Sequence, residues 1–218
     1  MIEAELAKLE EQGKTAIVVA DSDGVLGILA VADTPRPTSV QALTELHSIG
    51  LRTVLLTGDN PKTAAAIAKV VGIDDARGNL LPEDKLAAID ELIRANAYVG
   101  MVGDGVNDAP ALAKATIGFA MGAAGTDTAL ETADVALMQD DLRAIPAFVR
   151  LSRRTSSILW QNIAIAIGTK GVFFTLAMAG VTTLWMAVIA DVGASLVVLL
   201  NGVRLRRFNL GVHVHEMR

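Results

Sequence analysis

Apolar and polar positions fall into three regimes along this chain. In residues 1 to 32 a mixed stretch, "IEAELAKLEEQ", precedes two apolar runs, "TAIVVA" and "VLGILAVA", joined by "DSDG". The Asp-Gly end of that joint is a strong hairpin signal. The pattern therefore predicts a helix over about residues 2–12 and then two paired strands. Residues 33 to 143 alternate between the two periods. "TVLLT", "YVGMV", "IGFAM" and "DVALM" read as short strands, whereas "NPKTAAAIAKVV" and "PEDKLAAIDELIRA" read as helices. Asn60 is placed as an N-cap with Pro61 at the first helical position. Strands alternating with helices predict an α/β fold, a parallel sheet with helices on both faces.

The last regime is apolar throughout. Residues 158 to 179, "ILWQNIAIAIGTKGVFFTLAMA", carry one charge, Lys170, and residues 181 to 203, "VTTLWMAVIADVGASLVVLLNGV", carry one, Asp191. Each run exceeds the ~20 residues that cross a bilayer as a helix. Arg143, Arg150, Arg153 and Arg154 precede the pair, and Arg204, Arg206 and Arg207 follow it. A two-helix transmembrane hairpin with both ends in the cytosol is the expectation. A buried hairpin of a soluble protein fits these lengths and flanks less well. Membrane lipid is thus an expected partner.

Composition changes this picture in two ways. A net charge of −5 gives no general attraction to nucleic acid. The absence of cysteine excludes disulfides and thiolate metal ligands within these residues. The N-terminus has no basic segment followed by an apolar core, so it does not read as a signal peptide.

Candidate chemistry sits where strands end. "YVGMVGDGVNDAP" runs from a strand into a glycine loop bearing Asp104, Asn107 and Asp108. Carboxylates at the carboxyl ends of parallel strands face the ligand crevice. Magnesium favours one or two carboxylates together with phosphate and water. Read alone, "GDG" is an ordinary turn, with Asp108 capping the next helix. Two other stretches add to it. "LLTGDN" ends a strand with Thr57, Gly58 and Asp59, whose hydroxyl and backbone amides suit a phosphoryl oxygen. "PEDK" supplies Lys85, an ammonium able to offset phosphoryl charge.

In this order "TGDN", "PEDK" and "GDGVNDAPALAKATIGFAMG" resemble the phosphorylation domain of P-type ATPases, members of the haloacid-dehalogenase-like superfamily. "DTPRP", residues 33 to 37, resembles the hinge by which the nucleotide-binding domain returns to that domain. "GTDTALETADVALM" and the paired apolar helices resemble the heavy-metal-transporting subgroup. The resemblance implies a division of the chain. Residues 1–32 are the end of the nucleotide-binding domain, and 33–143 the haloacid-dehalogenase-like phosphorylation domain. Residues 144–207 hold the last two transmembrane helices, and 208–218 a cytosolic tail. It also implies ATP as substrate and Mg2+ held by Asp104 and Asp108. Asn107 supports that site, Thr57, Gly58 and Asp59 position the phosphoryl group, and Lys85 stabilises its charge. These pumps form an aspartyl-phosphate on a "DKTGT" motif, which these 218 residues do not contain. The chain therefore reads as the C-terminal part of a pump, inactive alone. Its expected partner is an N-terminal part with the actuator domain, six helices and the DKTGT strand. The implied location is the plasma membrane.

Lys170 and Asp191 indicate the ion. Each lies ten or eleven positions from the turn near residues 180 and 181, so both stand ~16 Å from it, mid-bilayer. Charges there are costly and default to function, the alternative being a structural ion pair. "KG" and "ADVGA" resemble the last two helices of zinc, cadmium and lead exporters. That resemblance implies Asp191 as a ligand of the transported Zn2+, Cd2+ or Pb2+ and Lys170 as its built-in counter-charge. The sequence departs from the subgroup at Val192, often threonine there.

Two rival readings remain. "AIVVADSDGVLG" resembles the opening motif of soluble haloacid-dehalogenase phosphatases, with Asp21 as nucleophile and Asp23 as general acid. Alternatively, the chain is the membrane-anchored half of a split pump. His213 and His215 in the tail could hold a metal weakly, and a solvated tail is the simpler reading.

Overall fold

A computed structural model of the chain describes residues 2–11, 14–22, 24–31, 35–96, 98–104, 106–122 and 127–207. Asp23, the first two residues of "DTPRP", Gly105, His213 and His215 lie outside them. The chain divides into two compact units, residues 1–146 and 147–218.

In the first unit, helix α1 (Ile2–Glu11) leads into strands β1 (Thr15–Asp21) and β2 (Gly24–Val31). These form an antiparallel ribbon in which Asp21 stands opposite Gly24. Ile17, Val18, Leu26 and Leu29 on the ribbon are exposed to solvent.

The rest of the unit alternates as the sequence predicts: α2 (Pro37–Ser48), β3 (Val54–Leu56), α3 (Pro61–Val71), β4 (Asp75–Arg77), α4 (Pro82–Asn96) and β5 (Gly100–Gly103). A 3-10 turn (Val106–Asp108) then precedes α5 (Ala109–Lys114), β6 (Ile117–Met121), α6 (Asp127–Thr132) and β7 (Val135–Leu137). Helix α3 starts as expected, with Asn60 Oδ1 accepting from Lys62 N at 2.8 Å and Pro61 first in the helix. It stops at Gly72, whose φ of 82° is the left-handed conformation glycine adopts without strain.

Every strand pair here is parallel, but the strands form two sheets rather than one. β3 pairs with β4, and β5, β6 and β7 form a separate ladder with β6 in the middle. No ladder joins β3 to β5 among the described residues. The two sheets nonetheless share a core. Ile89, Met101, Ala111, Leu112 and Ala120 are buried together, and Leu56 of β3 packs against them with Ile93 and Val99. A second cluster joins Phe119, Leu137 and Ile145. The strand expected over "YVGMV" begins later, at Gly100, because Tyr98 is 83% exposed.

The second unit is helical. Helix α7 (Ala144–Met178) is one continuous rod of 35 residues, so it starts well before the expected 158. It ends at Gly180, with φ of 71°, where Val181 N donates to Leu176 O at 3.1 Å. Thr183 then caps α8 (Leu184–Val203), later than the expected start at 181. Only Leu184–Arg206 is a described helix long and apolar enough to cross a membrane. Gln161, Asn162 and Lys170 dilute the apolar surface of α7. The hairpin expectation therefore has one clear span and one less apolar companion.

Half-buried positions on each of the two helices fall in a stripe. On α7 they are Asn162, Ile165, Ala166, Thr169, Phe173 and Leu176, and on α8 Ala190, Ala194, Val198 and Asn201. Spacings of three and four residues mark one face of each helix.

Candidate active site

The loop after β3 is stitched to the turn after β4. Thr57 N donates to Arg77 O at 3.0 Å, and Leu80 N returns a bond to Thr57 O at 3.0 Å. Thr57 Oγ1 donates to Asp59 Oδ2 at 2.8 Å and accepts from Asp59 N at 3.1 Å. Asn79, with φ of 59°, donates its N–H to Asp59 O. Gly78 is obligatory at this crossing, because an added Cβ would lie 2.7 Å from both Asp59 O and Pro61 Cα. Gly58 and Asp59 are exposed, so the loop presents backbone to solvent while its frame is fixed.

The same turn delivers Lys85. Leu81 N donates to Asp84 Oδ2 at 3.0 Å, and Lys85 N donates to Leu81 O at 3.1 Å, which starts α4. Lys85 Nζ then reaches Asp108 Oδ1 at 2.8 Å, with the two side chains 17% and 13% exposed. Asp108 occupies the N-cap position of α5 yet makes no capping hydrogen bond with its side chain. The ordinary explanation for an aspartate there, a helix cap, thus does not describe it. Gly103 makes room for this arrangement, since a Cβ at that position would meet Asp108 Cβ at 2.7 Å and Oδ2 at 3.1 Å.

Asp104 follows β5 directly and is exposed. It opens on a cavity of about 320 Å³ lined also by Arg36, Ser39, Met121, Asp140 and Leu142. Asn107 is also exposed. Among the described residues no group of three or more His, Cys, Asp or Glu side chains could hold a metal by itself. Asp104 and Asp108 are oxygen donors of the kind that could hold magnesium together with phosphate and water. The geometry ties the Thr57–Asp59 loop to the turn that leads into α4 and pairs the Lys85 ammonium with the Asp108 carboxylate.

Sequence reasoning missed Arg36, Ser39 and Asp140 on the cavity wall. Arg36 sits in "DTPRP", read only as a hinge, and Asp140 is a non-glycine residue with φ of 51°. Charge networks elsewhere in the unit are structural. Arg77 holds Glu91 through two bonds of 2.9 and 3.0 Å and lowers its pKa. Asp74 accepts from Thr53 N at 2.7 Å, which with the Thr53 hydroxyl and His47 holds its carboxyl below the ordinary range.

Asp21 ends β1 in an antiparallel hairpin, where its Oδ1 accepts from Gly24 N at 3.0 Å. That is a turn role, and no parallel strand carries it as a phosphatase nucleophile requires. Lys170 and Asp191 are both exposed on their helices, and no ion pair joins them among the described residues.

Comparison with known proteins identifies the family. The family model described as haloacid dehalogenase-like hydrolase matches residues 1–116. A probable cadmium-transporting ATPase of Alkalihalophilus pseudofirmus is 51% identical over 94% of this chain and 29% of its own length. A zinc/cadmium/lead-transporting P-type ATPase of Escherichia coli strain K12 is 48% identical over 92% of this chain and 27% of its own length. The crystal structure of a zinc-transporting PIB-type ATPase in the E2.Pi state superposes with a TM-score of 0.83 at 46% identity. It is matched over 94% of this chain and 33% of that one. The chain thus spans less than a third of the length of the curated relatives it matches. It belongs to the haloacid dehalogenase-like hydrolase family, and over nearly all its length it is similar to part of heavy-metal-transporting P-type ATPases.

Proposed function

We propose that this chain is the C-terminal part of an ATP-driven pump that exports zinc, cadmium or lead across the plasma membrane. The observation that carries the reading is the Lys85–Asp108 contact at 2.8 Å, made by an aspartate that forgoes its cap. A capping role would satisfy Asp108 locally, whereas the observed pairing sets an ammonium against its carboxylate. In the complete pump Asp104 and Asp108 hold Mg2+, which when bound neutralises charge on the phosphoryl oxygens of ATP. Thr57, Gly58 and Asp59 orient the phosphoryl group through hydroxyl and backbone donors, and Asn107 supports the loop. Lys85 offsets the negative charge that develops during transfer.

In the membrane part, Asp191 is an oxygen ligand of the transported ion and Lys170 its counter-charge. A carboxylate suits a divalent borderline ion better than soft monovalent copper. Both ends of the helical unit lie in the cytosol on this reading. The nucleophilic aspartate belongs to an N-terminal part that also carries the actuator domain and six helices. The chain alone then forms no phosphoenzyme.

The test is a pump completed with the N-terminal part of a relative. Cadmium-dependent labelling from ATP should give an acid-stable phosphoenzyme that Asp104→Ala abolishes at every magnesium concentration. Normal labelling of that variant would reduce Asp104 to a turn residue and overturn the reading.

A further inference from the structure

One cluster is untouched by the chemistry above. At the end of the helical unit remote from the Gly180 turn, Asn201 Nδ2 donates to Asn162 Oδ1 at 2.9 Å and to Gln161 Oε1 at 3.2 Å. Arg204 Nη1 donates to Asn201 Oδ1 at 2.9 Å, which holds the amide in the orientation that donates across the hairpin. No other side-chain hydrogen bond between α7 and α8 is present among the described residues. Apolar stripes of Ile, Ala, Val, Phe and Leu slide past one another at little cost. A three-amide knot does not, because a slip breaks its hydrogen bonds.

The knot fixes two quantities at once. The first is height. Lys170 lies eight residues beyond Asn162, ~12 Å along α7, and Asp191 lies ten residues before Asn201, ~15 Å along α8. With the amides level, the two charges stand within ~3 Å of the same height. The second is direction. Thr169 and Ala190 belong to the same half-buried stripes as the bonded Asn162 and Asn201, and the charges are the next residues, Lys170 and Asp191. Because the helices run antiparallel, one step past the stripe on each lands on the same side of the hairpin. A slip of one residue on either helix rotates its charge by ~100° and moves it ~1.5 Å.

We propose that Asn201, with Gln161 and Asn162, is a register clamp that positions Lys170 and Asp191 on one side of the hairpin at one level. As a role in transport this rests on the reading of Asp191 and Lys170 as the ion site. As a statement about register it stands apart from that reading. The three amides touch neither charge and act only through the helices.

The experiment uses the full chain in lipid nanodiscs. It has no cysteine, so Lys170→Cys and Asp191→Cys can carry spin labels without background. The clamp predicts one narrow distribution of distances between the labels. Asn201→Leu should broaden it or move it by ~5 Å, about one helical turn, and Asn201→Gln should restore it. Helix content by circular dichroism should stay constant across the series. If Asn201→Leu does not insert, Gln161→Ala with Asn162→Ala removes the acceptors from the other helix and should have the same effect. An unchanged distribution in either background overturns the clamp. In the completed pump, Asn201→Leu should lower cadmium-stimulated turnover ~10-fold or more, in line with the loss of a group that orients a metal ligand. If Asp191→Asn leaves that turnover intact, the ion-site reading fails and the positioning role with it, while the label distances still judge the register.

Discussion

Lys85 Nζ and Asp108 Oδ1 lie 2.8 Å apart, and their side chains keep only 17% and 13% of their exposure. At such depth the loss of one partner strands the other charge. Lys85→Met should therefore lower the unfolding free energy of the chain by about 2 kcal/mol, read from urea denaturation. Adding Asp108→Leu should recover most of that loss, as apolar replacement of both partners often does. A single variant as stable as the parent would show the contact to be incidental.

Two glycines are predicted to rank in a fixed order. A Cβ on Gly78 would press on backbone atoms of Asp59 and Pro61 at 2.7 Å, and neither can rotate away. On Gly103 it would press on the Asp108 side chain, also at 2.7 Å from Cβ, with Lys85 attached. Gly78→Ala should cost roughly 3 kcal/mol and Gly103→Ala roughly 1 to 2 kcal/mol, by thermal or urea unfolding. Gly103→Ala should carry the larger penalty in phosphoenzyme formation by the completed pump, because the side chain it displaces is Asp108, proposed above to hold Mg2+.

Substitutions at Asp191 and Lys170 should separate. Asp191→Ala removes an oxygen donor, so cadmium stoichiometry in the membrane part of the completed pump should fall, and turnover with it. Lys170→Ala keeps the carboxylate and removes the competing cation. Cadmium should stay bound or bind more tightly while turnover drops. Equal loss of thermal stability in both variants, with cadmium binding intact in Asp191→Ala, would mark the pair as structural.

Acid stability follows from Asp141. Arg143 donates to its carboxyl from Nε at 2.9 Å and Nη2 at 2.6 Å. Those bonds hold its pKa below the ordinary value of 3.8, with burial opposing them. A carboxyl depressed on folding contributes stability that is complete above its unfolded pKa and is lost as pH falls through the folded one. Asp141→Asn should thus be less stable than the parent at pH ~6, and the gap should close as pH drops below ~4. Urea midpoints across that range measure it. A gap that stays constant down to pH ~2 would show that the ion pair contributes nothing.

Much of this was legible because each signal is local. The Asn60 cap, Pro61 and the αL glycine at 72 bracket α3 by the chemistry of helix ends alone. "IGFAM" forms its strand as read, since Gly118, Phe119 and Ala120 are buried and the flanks turn. What escaped detection depends on neighbours. Whether Asp108 caps its helix or meets Lys85 is decided by α4, far away in sequence. Arg36 and Asp140 join Asp104 around one cavity only after folding. The division of the parallel strands into two sheets is likewise invisible in periodicity, which reports a strand and not its partner.

That division has a consequence for the backbone. Thr57 N points to β4, where it bonds Arg77 O. Alternation along a strand then turns Leu56 N toward the opposite edge, where no described strand pairs with β3. Leu56 packs its side chain on the buried Ile89–Met101 cluster, yet its amide has no ladder to protect it. Phe119, in the centre of β6, is flanked by ladders on both sides. The Leu56 amide is therefore expected to exchange with solvent deuterium well before the Phe119 amide.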